Sequence, residues 1–166
     1  MKNFTKNRKG FTLIELIIVI AIIAILAAAI FVAIDPAQKL NSSRNEQRLS
    51  DITNILDRVV EYQVDNSGAH YTTIAALTPG EYSVIGTCTS GATCSTQATQ
   101  SACINLTAIG SNYLATIPKD PKAETAADTD YYLMIDEKGA VTVGACEPEG
   151  EGAGGAGTAP TIEITK

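Results

Sequence analysis

From Phe11 to Ile34 the chain runs for 24 residues with a single charged side chain, Glu15. At about 1.5 Å of rise per residue a helix of that length reaches about 36 Å, enough to cross a hydrocarbon layer of about 30 Å. A secretory signal peptide is excluded by length, since its apolar core is only about 7 to 15 residues long. Lys2, Lys6, Arg8 and Lys9 stand ahead of the run with no acid among them. By the positive-inside rule they keep the N-terminus cytoplasmic and send the following part across the membrane, although Lys39, Arg44 and Arg48 weaken the contrast.

With 166 residues in all, there is room for one membrane segment and one small domain. The net charge of -6 conceals an asymmetry: beyond residue 10 there are 8 basic against 18 acidic side chains. A phosphate-binding face needs clustered Lys and Arg, so nucleic acid is not indicated as a partner of the bulk surface. Cys88, Cys94, Cys103 and Cys146 all lie in the distal part, and an even count there points to two disulfides in an oxidising compartment. Three pairings are possible. Cys88 with Cys94 and Cys103 with Cys146 is preferred, because the second pair would tie the segment before the sheet to the last strand. A metal site is the rival, but no Cys-x-x-Cys unit occurs.

Asp35-Pro36 closes the apolar run. Proline removes a helical hydrogen bond and crowds the preceding turn, so either a kink near Pro36 or the end of the membrane helix is expected. Leu49, Ile52, Ile55, Leu56, Val59 and Val60 then recur at spacings of three and four, one apolar helical face. Arg48, Asp51, Asp57, Arg58 and Glu61 are expected on the opposite, solvated or subunit-facing side. Gly68 suits a left-handed helix cap.

Thr72 to Pro79 reads as a loop with a short helical turn at Ile74 to Leu77, and Tyr82 to Ile85 as a strand. Thr87 to Ala102 is too poor in large apolar residues to build a core, so cysteines are expected to staple it. Cys103 to Leu106 is a strand or helical turn. Tyr131 to Asp136 and Ala140 to Val143, joined by Glu137-Lys138-Gly139, read as a hairpin. After Cys146 the Gly/Glu-rich stretch reads as a flexible tail, and Thr161 to Thr165 either adds an edge strand or dangles. The single histidine, His70, is expected to be an exposed loop residue. No nucleophile elbow, phosphate-binding glycine loop or paired histidine ligands occur, so an enzyme is not expected. Asn3, Asn41 and Asn105 open Asn-x-Ser/Thr triplets, which by themselves do not establish glycosylation.

Lys9-Gly10-Phe11-Thr12-Leu13-Ile14-Glu15, with Leu16 to Ala28 behind it, resembles the class III signal of type IV pilins and type II secretion pseudopilins. The resemblance implies that a prepilin peptidase cuts after Gly10 and that Phe11, the new N-terminus, is methylated. It further implies that Glu15 pairs with the N-terminal amine of a neighbouring subunit during filament assembly. The alternative is that Glu15 complements only its own amine and the positive end of its helix dipole. Many type IV pilins place a kink proline where this chain has Val32. Pro118-Lys119-Asp120-Pro121 is similar to a turn of pseudopilins, but Lys122-Ala123-Glu124 replaces the aromatic and glycine residues that follow it there. Asp128 and Asp130 stand where some pseudopilins bind calcium; the alternative is a solvated acidic loop.

The expected fold is α+β and pilin-like, a long N-terminal helix kinked near Pro36 with a small antiparallel sheet as its head. Residues 1–10 would be a leader, 11–35 a transmembrane and filament-core helix, 36–68 an amphipathic helix entering the head, 69–146 the head, and 147–166 the tail. The function expected is a structural subunit of a type IV pilus or related filament. A secretion pseudopilin is the alternative within the class, and a signal-anchored adhesion protein that never polymerises is the alternative outside it. Partners implied are other pilins, the prepilin peptidase, the assembly machinery and the membrane before assembly; no cofactor is expected.

Overall fold

The structure is a computed structural model that describes residues 10–109, 113, 116–123, 125 and 127–166. The expected leader up to Lys9, and Leu114, Ala115 and Glu124 near the proline-rich turn, lie outside the described residues. The chain divides into two compact units, one ending at Pro36 and one running from Ala37 to Lys166.

The first unit is helix α1, Leu13–Ile34. None of its residues is buried within the chain. A row of exposed Ile, Leu and Val can persist in hydrocarbon, where a helix pairs every interior backbone group within itself. Asp35 ends it with a left-handed backbone, φ 44°. Pro36 disfavours helical geometry in the residue before it, then serves as the first residue of helix α2, Pro36–Asp65, where its missing N–H costs nothing. The break expected near Pro36 therefore falls on Asp35, and Pro36 starts the second helix.

In the second unit α2 lies along one face of a four-stranded antiparallel sheet. The strands are β1, Ser83–Gly86; β2, Asp128–Ile135; β3, Val141–Ala145; and β4, Glu163–Thr165, in spatial order β1-β2-β3-β4. Alternation along β2 and β3 sends Tyr131, Leu133 and Ile135, with Val141, Val143 and Ala145, against Ile52, Ile55, Leu56 and Val59 of α2. Full burial of each large aliphatic side chain contributes about 1.5 to 3 kcal/mol. The short helix α3, Thr72–Ala75, adds Ile74 to this core, and Tyr62 closes one end edge-on to Tyr71 and Tyr113, each at 5.5 Å.

On the other face Val84, Tyr132 and Cys146 pack with Ala92 and the remaining three cysteines. This second cluster is built by the loop 87–102, which sequence composition had left without a core. The loop borrows one from the back of the sheet.

Three expectations about the head require correction. Arg48 is not on a solvated face: it is fully buried, while Leu49, assigned to the apolar face, is about half exposed. The disulfides join Cys88 to Cys103 and Cys94 to Cys146, not Cys88 to Cys94 and Cys103 to Cys146. The reason is that residues 103–104 run beside β1: Cys103 N donates to Cys88 O at 3.0 Å and Ile104 N to Val84 O at 2.7 Å. That brings Cys103 to Cys88 and leaves Cys94 free to reach the end of β3, where Ser95 Oγ and Thr96 Oγ1 donate to Cys146 O and Ala145 O.

The third correction concerns residues 147–160, which run back along α2 instead of forming a flexible stretch; beyond them the edge strand, one of the two alternatives for Thr161 to Thr165, forms as β4, with Ile164 opposite Val143. Gln38 Nε2 donates to Glu151 O at 2.8 Å, Asn41 Nδ2 to Gly150 O at 2.8 Å, and Asn45 Nδ2 to Glu149 O at 2.7 Å. Gln38, Asn41, Asn45 and Arg48 recur at helical spacing, a polar stripe that holds a glycine-rich segment with no large apolar side chains.

Other expectations hold. Gly68 has φ 85° and its N–H returns to Gln63 O at 2.7 Å, closing the end of α2. The hairpin forms between β2 and β3, its turn shaped by Asp136 Oδ1, which accepts from Lys138 N and Ala140 N. His70 departs from expectation: it lies in a loop but is half-buried rather than exposed, with Nδ1 2.6 Å from Gln63 Nε2.

Candidate functional site

Gly10, Phe11 and Thr12 precede the first turn of α1 and are not helical. Among the described residues no atom beyond its chain neighbours approaches within 4 Å of a Cβ placed on Gly10, and Phe11 is 92% exposed. The Gly10–Phe11 peptide bond is therefore presented in an open, non-helical segment at the mouth of an apolar helix. An endopeptidase needs such a segment, because a helical backbone has its N–H and C=O groups already paired.

Thr12 is the N-cap of α1, with extended backbone at φ -81° and ψ 154°. Glu15 occupies the third helical position, and the two form a reciprocal capping box. Glu15 N donates to Thr12 Oγ1 at 3.3 Å, while Thr12 N and Thr12 Oγ1 both donate to Glu15 Oε2 at 2.8 Å. The carboxylate also lies at the positive end of the helix dipole. Glu15 is thus held by its own helix start, which accounts for an acid at the edge of a membrane-length apolar run. Both donors converge on Oε2.

The remaining candidates lie in the head. Asp128 and Asp130 border an open depression with Thr125 and Glu147. Asp130 has φ 57°, its N–H donates to Asp128 Oδ1 at 3.1 Å, and its carboxyl is pushed up to about 6 by burial, then by the negative charges of Asp128, Asp120 and Glu147. Among the described residues no group of three or more His, Cys, Asp or Glu is arranged to hold a metal ion.

A charge cluster that sequence reading missed sits at the junction of α2, the proline-rich turn and residues 147–151. Arg48 donates through Nε and Nη2 to the two carboxylate oxygens of Asp120, the second at 3.0 Å, and through Nη1 to Glu149 Oε2 at 3.0 Å and Asn45 Oδ1 at 2.8 Å. Arg48 and Asp120 are both fully buried. Asp120 also shapes its own turn, accepting at Oδ1 from Lys122 N at 2.7 Å. Lys122 Nζ and Arg44 Nη1 reach Glu149 Oε1 at 2.7 and 3.0 Å. Burial raises the Glu149 carboxyl, but Lys122 and Arg48 outweigh it and hold the group below its ordinary range. The available signal was the arginine at helical spacing from Ile52 and Ile55, together with an acid locked between two prolines.

An exposed segment ahead of a capped, membrane-length apolar helix, followed by a disulfide-bonded α+β head, fits a single-pass, membrane-anchored protein. A family model described as the prokaryotic N-terminal methylation motif matches residues 5–31. The chain carries the class III signal of type IV pilins and pseudopilins, and the motif points to a structural protein. Neither the curated proteins nor the solved structures contain a match to this chain.

Proposed function

We propose that this chain is a structural subunit of a type IV pilus or a related filament. The reading is carried by one observation: an open Gly10–Phe11 bond directly ahead of a helix whose apolar side chains are all exposed within the chain. Cleavage after Gly10 removes the basic leader and leaves α1 on the product. Phe11 then carries the methylated amine. In the membrane, lipid covers α1; in a filament, the helices of neighbouring copies replace it.

Glu15 has two tasks in this scheme. Within its own chain it caps α1 through Oε2. During assembly its charge attracts the N-terminal amine of an adjacent subunit, which cleavage has just created. A buried carboxylate and ammonium in hydrocarbon gain far more from pairing than they would in water. The leader's basic residues keep the N-terminus on the cytoplasmic side, and the head, with its two disulfides, folds on the other.

A secretion pseudopilin is the second reading. The observation favouring it is the Pro118–Pro121 turn, whose aspartate is the buried partner of α2. Mass spectrometry of the mature N-terminus in the native host tests the processing directly, with methylated Phe11 as the expected first residue. An intact leader would remove the filament reading and leave the signal-anchored adhesion protein. Gly10→Leu should leave the leader uncut. Glu15→Val should insert in the membrane yet fail to assemble, and normal filaments from it would reduce Glu15 to a helix cap. Recovery in sheared surface fibres separates a pilus subunit from one confined to the envelope.

A further inference from the structure

An Asn-x-Ser/Thr triplet is the acceptor sequence read by enzymes that transfer a saccharide to an asparagine amide. Asn3 lies ahead of the proposed cut and outside the described residues. The other two triplets differ in what their amide nitrogens do. Asn41 Nδ2 donates to Gly150 O at 2.8 Å and Gly155 O at 3.3 Å, so it is one of the groups that hold the C-terminal segment on α2. A Cβ on Gly155 would come within 2.8 Å of that nitrogen. A sugar there would push the segment away.

Asn105 is exposed, between the buried side chains of Ile104 and Leu106. Its side chain accepts from Thr107 N at 2.9 Å and from Thr107 Oγ1 at 2.6 Å. A backbone N–H can only donate, so the amide atom facing Thr107 is the oxygen, and the orientation of the group is settled by its partner. Nδ2 is left on the side away from Thr107. Asn105 also borders an open depression shared with Thr73, Leu77 and Gln100, which leaves room beside the amide.

We propose that Asn105 is an N-glycosylation site, with a polyprenyl-diphosphate-linked saccharide as the donor class. In the transfer the bond from Nδ2 to the sugar C1 forms, the C1–O bond to the diphosphate breaks, and the lipid diphosphate leaves. One amide proton passes to a base of the transferring enzyme. Residue 105 is presented on the folded head, where the Asn41 amide is already engaged with the C-terminal segment. The folded head then accommodates the sugar because residue 105 faces outward. This rests on the part of the proposed function that sends the head across the membrane.

The test is peptide mass spectrometry of the full chain purified from its native host, with fragmentation that locates the modified residue. A saccharide mass on Asn105, with Asn41 bare, is expected. It should vanish in Asn105→Gln and Thr107→Val and return in Thr107→Ser, which keeps the hydroxyl. Unmodified Asn105 in the native protein overturns the proposal, as does a sugar that persists in Thr107→Val. The N-terminal peptide of the same digest separates the two readings. Methylated Phe11 with bare Asn105 overturns the glycosylation alone, whereas glycosylated Asn105 on an uncut chain upholds it and overturns the processing.

Discussion

Asp120 is the buried counter-ion of Arg48, joined to it by two hydrogen bonds across 72 residues of chain. The pair fastens α2 to the turn Pro118–Pro121, and Glu149 on the same guanidinium adds the C-terminal segment. Three parts of the head are thereby held by one planar cation, whose fork matches a carboxylate on two sides.

Removal of either partner should be costly. Arg48→Met or Asp120→Ala leaves a charge buried without its mate, an effect of about 3 to 5 kcal/mol in comparable cases. Replacing both together should cost less than the two single changes added. Urea unfolding of the full chain in detergent, followed by near-ultraviolet tyrosine dichroism, measures this; an additive double variant would mean the two groups act independently.

The C-terminal segment should come loose in acid. The Glu149 carboxyl is lowered in the fold, so its contribution is complete above its ordinary value of 4.5 and is lost as pH falls through the lower folded value. Asp130 has the opposite sign. Raised to about 6, it weakens the fold above that pH and ceases to do so as acidification protonates it. Asp130→Asn should therefore raise stability near neutral pH by about 1 kcal/mol after solvent screening, while Glu149→Gln should lower it. Hydrogen exchange of residues 147–166 against pH reads the first effect and unfolding midpoints read the second.

Gly144 should tolerate no side chain. Tyr132, opposite it in the ladder, crosses the bare backbone and donates its hydroxyl to Glu163 Oε2 at 2.8 Å. A Cβ on Gly144 would stand 2.3 Å from that ring. Gly144→Ala is expected to cost about 1 to 3 kcal/mol by overpacking and to detach β4, shown by faster amide exchange at Ile164.

The disulfides should contribute unequally. Chain-entropy arguments give about 3 kcal/mol for the Cys88–Cys103 loop of 15 residues and about 4 for the Cys94–Cys146 loop of 52. Loss of Cys94–Cys146 should unfold the loop 87–102 from the back of the sheet. Non-reducing peptide mapping checks the pairing, and unfolding of the two double-serine variants checks the order.

The features legible in the sequence were those written in neighbouring residues. Leu13 to Ile34 states its own helix, because an apolar run of membrane length has one way to satisfy its backbone in hydrocarbon. Thr12 and Glu15 stand at capping-box spacing, Gly68 marks the end of α2, and the hairpin of β2 and β3 is set by alternation and a glycine turn. Each depends on contacts a few residues apart.

What tertiary structure alone decided are the pairings across long separations. Its helical spacing from Ile52 and Ile55 sets Arg48 beside the core, but an arginine there is compatible with water or with burial until the Asp120 carboxylate arrives from elsewhere in the chain. Four cysteines permit three pairings, and the choice was made by the strand-like course of residues 103–104 beside β1. The glycine-rich segment has no apolar side chains to reveal a place in the fold; backbone carbonyls meeting the Gln38, Asn41 and Asn45 amides give it one. Local chemistry thus specifies the helix and the open segment ahead of it, whereas the head is specified by partners that only folding brings together.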